Sequence, residues 1–424
     1  MNNKTRILII VSLVLLTVSP FIAVDTIGRI RQNRLRTQFV YDFDYMLYLL
    51  EENFPLFGII ERRNGVNMLE LGRELRDHLA YEADRNIISH EYFWSLLRDE
   101  FFDMAFPVGH LRLVSDAERD MTVQYIIDIP IIDNTAGVGR FVDVYLNAPR
   151  YGFRREHWEE RPNAQLSPDD TLYTRIFEEG RIAYLGVNGF QRHISQEHLS
   201  FIDNFYREIA GFEHLIIDIR GPEGGMIYFF NELIAAPLID RIQTVDFHHF
   251  LKGGEFNLGQ FSLLHAVSLQ STDNINLNSL FSEQLSDELI ADIANTDFYF
   301  IQQHRIHPRS PRANFNGKIW MLVDEYVFSG DQWVAAAYKD MGFITLVGET
   351  TGGMLGSFMH YVEYAGGTEI FMLPNSGFIV RFDNTLMLDS TGRPVEYGTK
   401  PHFFNRPGLN ALETVLQMIY EGEY

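Results

Sequence analysis

Not one cysteine occurs in the 424 residues. That absence excludes disulfides, thiolate metal sites and a cysteine nucleophile together. Positive charge is also scarce, and the formal net charge is -22. So acidic a chain repels a polyanion, which excludes nucleic acid as a partner. Internal repeats, low-complexity tracts and a phosphate-binding loop are absent; Gly253-Gly254 stands alone and follows no strand pattern. His248-His249 and the His304/His307 pair invite a metal reading, but no carboxylate stands at H-E-x-x-H spacing. Packed or solvated histidines are therefore expected, and no metal or other cofactor.

One long uncharged run stands at the start, Ile7 to Val24, preceded by Lys4 and Arg6. It suits a signal sequence or a short membrane span. Small residues are badly placed for cleavage, with Phe21 two before Ala23, which favours an uncleaved anchor. Arg29, Arg31, Arg34 and Arg36 leave its orientation open. In either case the body is expected outside the cytoplasm, membrane-anchored or secreted. Residues 1–36 thus form a signal or anchor segment, and a membrane is a partner only through it.

Met46, Leu49, Leu50 and Phe54 fall at helical spacing. So do Met68, Leu71, Leu75 and Leu79, then Phe93, Leu96, Leu97 and Phe101. Three amphipathic helices in a lobe over 37–115 are predicted. A β-rich connector follows over 116–180, with strands near 123–132 and 140–147. From 181 to 424 the pattern is that of one α/β unit, with an aromatic-rich insertion at about 237–317. Two helical stretches are read between Met226 and Gly317: Ile227 to Ala236, just before the insertion, and Ser282 to Asn295 within it.

Within that unit Ile319 to Val323 is an apolar run bounded by turn residues, which suits a buried strand. Ser329-Gly330-Asp331 then leads into a helix with Val334, Ala335 and Tyr338 on its apolar face and Gly342 as its stop. Phe343 to Val347 is a second apolar run. Strand, helix and strand in succession call for a parallel sheet. Ser329 falls where a strand passes into a helix, at the sheet edge where ligands bind. On these residues alone an ordinary helix N-cap explains that serine better than a nucleophile does.

Four segments, in order, resemble the tail-specific (C-terminal processing) and tricorn-core serine peptidases. They are Val108-Gly109-His110-Leu111, the strand Arg181 to Phe190, the run His214 to Gly225, and Ser329 with Ala335-Ala336-Ala337 and Gly348-Glu349-Thr350-Thr351-Gly352. Gly392 to Pro401 is similar to a further family segment. The resemblance implies a crotonase-like α/β core and hydrolysis of peptide bonds in peptide or protein substrates. It implies Ser329 as nucleophile, His110 as general base, and Glu396 as the carboxylate holding that histidine. Gly330 with Gly224 or Gly225 would supply the oxyanion hole. A serine is a weak nucleophile until a base takes its proton, and imidazole suits that task near neutral pH.

One branch of the family places a lysine after the serine's helix and strand, where this chain has Met354. The five lysines, Lys4, Lys252, Lys318, Lys339 and Lys400, all lie elsewhere, which leaves the histidine branch. No carboxylate-binding loop of a PDZ domain is visible before the core. Pro222 replaces the family's asparagine, and Gly330-Asp331-Gln332 replaces its usual residues after the serine. Two rivals follow: a silent homologue that binds peptides or apolar ligands in the same cleft, and a crotonase-type acyl-CoA enzyme. The leader disfavours the second, because coenzyme A chemistry is cytoplasmic.

Overall fold

A computed structural model describes residues 37–120, 171–191, 193–221, 224–261, 268–281, 283–353 and 369–424. The leader, the two strands expected before residue 150, Pro222 and Met354 lie outside them. The helices of the N-terminal region are α1 (37–53), α2 (Phe57–Asn64), α3 (Met68–Arg85) and α4 (His90–Ser95), the last running on through Phe101 as a wider π-turn. Three helices were expected there. The extra break falls at Pro55, which cannot continue a helix, so the short α2 stands apart.

Three sheets follow. A six-stranded sheet has the order β13-β9-β8-β4-β3-β2, where β2 is Leu172–Glu178, β3 Ile182–Val187, β4 His214–Asp218, β8 Lys318–Val323, β9 Ile344–Gly348 and β13 Phe403–Phe404. All neighbours are parallel except β2 against β3. An antiparallel four-stranded sheet joins β12 (Thr385–Leu388), β5 (Gln243–Leu251), β7 (Phe298–Ile306) and β6 (Gln270–Ser271). A small antiparallel sheet joins β1 (Arg112–Leu113), β11 (Ile379–Phe382) and β10 (Glu369–Met372). The protein is an α/β fold built on a central mixed sheet, as the sequence pattern called for.

Side chains along the central strands alternate between two cores, which is why the strands read as continuous apolar runs. Ala183, Leu185, Leu215, Ile217, Ile319 and Met321 face one layer, joined there by α5 (Gln196–Glu208) and α6 (Gly330–Met341). Ile182, Tyr184, Ile216, Trp320 and Leu322 face the other, against α7 (Ala411–Glu421). A third core packs α1–α4 onto β10, β11 and β12. It brings the small sheet, and the residues just before β1, up to the carboxyl ends of the parallel strands. Among the described residues no helix is long and apolar enough to cross a membrane.

Candidate active site

Beyond the carboxyl ends of β3, β4, β8 and β9 the connecting loops touch in pairs, with bridges between Phe190 and Gly225 and between Phe328 and Gly353. Ser329 follows Phe328 and opens α6. Its backbone takes φ 56 and ψ -123, a region that glycine occupies freely and serine does not. In that conformation the hydroxyl makes no capping bond to its own helix, so an ordinary N-cap does not describe this serine. Gly224 packs directly on it: a Cβ there would stand 2.9 Å from Ser329 Cβ and 3.4 Å from Oγ. Gly330 lies against Gly225, where a Cβ would come within 2.2 Å of the Gly225 carbonyl oxygen.

His110 arrives from the small sheet. Arg112 pairs with Arg381, and carrying that antiparallel register two residues further sets His110 opposite Asp383. The imidazole Nδ1 lies 3.0 Å and 3.1 Å from the two Asp383 carboxylate oxygens, and the His110 N–H donates to Asp383 Oδ2 at 2.6 Å. A carboxylate only accepts, so Nδ1 carries the proton and Nε2 keeps its lone pair. Nε2 stands 3.4 Å from Ser329 Oγ. Burial lowers the His110 pKa below the ordinary imidazole value, opposed by the neighbouring Asp383 charge. The ring is thus neutral near pH 7.

Two of the expected residues have other partners in this geometry, Glu396 and Gly224. Glu396, read as the carboxylate behind the histidine, accepts the Gly109 N–H at 2.9 Å; Asp383 takes the imidazole. Glu396 sits in a turn past β12, whereas Asp383 directly follows the strand that pairs with the histidine's own segment. Gly224, one candidate oxyanion donor, has its N–H spent on Asp331 Oδ2 at 2.8 Å. No described residue accepts the N–H of Gly225 or of Gly330, the first residue of α6. Asp383 carried no signal in the sequence beyond an acid closing an apolar run; only its pairing with the segment of His110 gives it meaning.

Hydrogen bonds brace the surrounding frame. Gln332 donates to Thr399 Oγ1 at 3.0 Å and accepts from Thr351, whose hydroxyl also receives the Thr399 N–H. Arg63 of α2 reaches the carbonyls of Gly352 and Glu396. Arg220 grips Asp218 with two bonds, at 2.9 Å and 2.7 Å, and Tyr184 donates to the same carboxylate, a structural ion pair under the loop. His248 bonds Tyr299 and His249 bonds Thr385, and among the described residues no group fit to hold a metal occurs.

Solved structures with the same fold include a peptidase candidate from Parabacteroides merdae, at 14% identity and TM-score 0.52, covering 92% of this chain and 96% of that one. Mature CPAF complexed with lactacystin aligns at 13% identity and TM-score 0.51, covering 92% of this chain and 97% of its own. No curated protein matches the sequence. Residues 181–403, the stretch from β3 through α6 to β13, match the model of peptidase family S41. That match spans more than half of the chain, and the protein belongs to peptidase family S41, a family of serine-type peptidases.

Proposed function

We propose that the protein hydrolyses peptide bonds through an acyl-enzyme on Ser329, with His110 as its base and Asp383 behind it. The observation that carries this reading is the 3.4 Å approach of His110 Nε2 to a serine hydroxyl that caps nothing. Catalytic hydrogen bonds of this kind are often long before substrate arrives. Ser329 Oγ bonds to the carbonyl carbon as its proton passes to Nε2, and the carbonyl electron pair moves onto oxygen. The N–H groups of Gly330 and Gly225 hold that oxyanion. On collapse the C–N bond breaks and the leaving amine takes the proton from His110. Water, deprotonated by the same imidazole, then releases the acyl group as an acid.

On this reading the chain is of the histidine-using, tricorn-like branch, with peptides or proteins as substrates. The uncharged leader Ile7 to Val24 supports a catalytic body outside the cytoplasm, held at a membrane or secreted. A fluorophosphonate probe tests the chemistry. Labelling of the folded protein that disappears in Ser329→Ala supports the peptidase, and a folded wild type that never labels makes it a silent peptide binder instead.

A further inference from the structure

Asp331 is an acid at the site to which the proposed reaction gives no task. It lies two residues after Ser329, in the first turn of α6, and is wholly buried. One carboxyl oxygen accepts the Gly224 N–H, and the other, Oδ1, has no hydrogen-bond partner among the described residues. Burying a carboxyl with half its acceptor capacity unmet is costly. The expense falls at the seam where the Gly224-Gly225 loop meets the turn that carries Ser329.

Resting on the reading of Ser329 as the nucleophile, we infer that Asp331 is a positioning residue of the oxyanion site. Its carboxyl holds the Gly224 N–H and so leaves the next N–H, that of Gly225, for the substrate oxygen. Three observations agree. The tether joins the same two segments that supply the oxyanion donors, Gly225 on one side and Gly330 on the other. Gly224 packs on the Ser329 side chain, so fixing its N–H also fixes the distance from the donor loop to the nucleophile. Gly225 is bridged to Phe190, and Met226 N donates to Phe190 O at 3.1 Å, which anchors the far side of the loop and leaves Asp331 to anchor the near side. Burial raises the Asp331 carboxyl to about 8. Near neutral pH it is therefore largely the uncharged acid, which still accepts from Gly224 without setting a second negative charge beside the oxyanion.

The test is the saturation kinetics of fluorophosphonate labelling, whose phosphoryl oxygen enters the same donors. Asp331→Ala and Asp331→Leu both remove the acceptor; the second fills the space, so it serves if the first folds poorly. The end-point stoichiometry of labelling counts folded sites and separates a folding defect from a slow site. Losing one well-placed donor lowers the rate constant about 10²-fold, and the half-saturating probe concentration is expected to stay within about threefold. Asp331→Asn keeps an oxygen for Gly224 and is expected to label within about threefold of wild type. A wild-type rate constant in the variants that lack the acceptor, or an Asp331→Asn as slow as they are, overturns this role alone. A folded wild type that does not label overturns the reading of Ser329, and this role with it.

Discussion

The two halves of the site are built in opposite ways. The serine half, β8 through α6 to β9, is one contiguous stretch whose parts touch their own neighbours in sequence. The histidine half is a strand pair two residues long, β1 on β11, whose key contact joins positions 273 apart. The first is strained, with Ser329 in a glycine-like backbone conformation; the second has ordinary backbone at His110 and Asp383 but buries both side chains. The contrast separates how each half is specified: the first by local turn chemistry, the second by long-range packing of the α1–α4 lobe onto the small sheet.

Chemistry at the serine is the largest lever. Ser329→Ala is expected to cut kcat on the order of 10⁶-fold, and His110→Ala by a similar factor, because the two act as one unit. The double variant should then be no worse than either single one. Peptide hydrolysis by active-site-titrated protein reads this out, and additive losses would break the unit.

The second prediction separates Asp383 from Glu396. Asp383→Asn turns an obligate acceptor into a group that favours the wrong imidazole tautomer, and a loss of about 10⁴-fold in kcat is expected. Glu396→Gln keeps an oxygen for the Gly109 N–H and should cost less than about tenfold. Equal losses would return Glu396 to the role the sequence suggested.

That pair of residues also marks how far the sequence was legible. β8, α6 and β9 fell within a residue or so of their expected bounds, since each is announced by local signals: a bounded apolar run, and Gly342 with φ 75 at the helix end. The long pairing of β5 with β7 was not legible. Five consecutive buried residues, Phe247 to Leu251, erase the alternation that marks a half-exposed strand, and the partner lies beyond a helix-bearing loop. Asp383 was hidden for the same reason, because its meaning resides in register rather than in neighbours.

The pH profile sharpens the comparison further. Burial holds the His110 pKa below the ordinary imidazole value of about 6.5, so the acid limb of kcat/KM should have its midpoint below that value. Below the midpoint the rate falls about tenfold per pH unit. In Asp383→Asn the limb should move lower still, since the charge that opposes burial is gone. Stability follows the same sign: the unfolded imidazole binds its proton first, so the contribution of His110 is constant above about pH 6.5 and is lost as pH falls towards the folded pKa. A limb above 6.5 would mean that another group titrates.

The smallest effect is the most direct test of strain. Among the described residues Ser329 and Asn314 alone combine a side chain with positive φ. A residue held in such a region costs about 1–3 kcal/mol, while glycine there brings an entropic penalty of about 0.5–1 kcal/mol. Ser329→Gly should therefore abolish activity and yet raise the unfolding free energy by about 1 kcal/mol. Ser329→Ala keeps its Cβ, hence the strain, and should unfold at the urea concentration of the wild type. His110→Gly should do the reverse of Ser329→Gly, because it leaves the wholly buried Asp383 without its imidazole and gains only backbone freedom in the unfolded chain. If glycine destabilises both positions alike, the serine turn carries no strain, and the difference between the two halves is one of sequence distance alone.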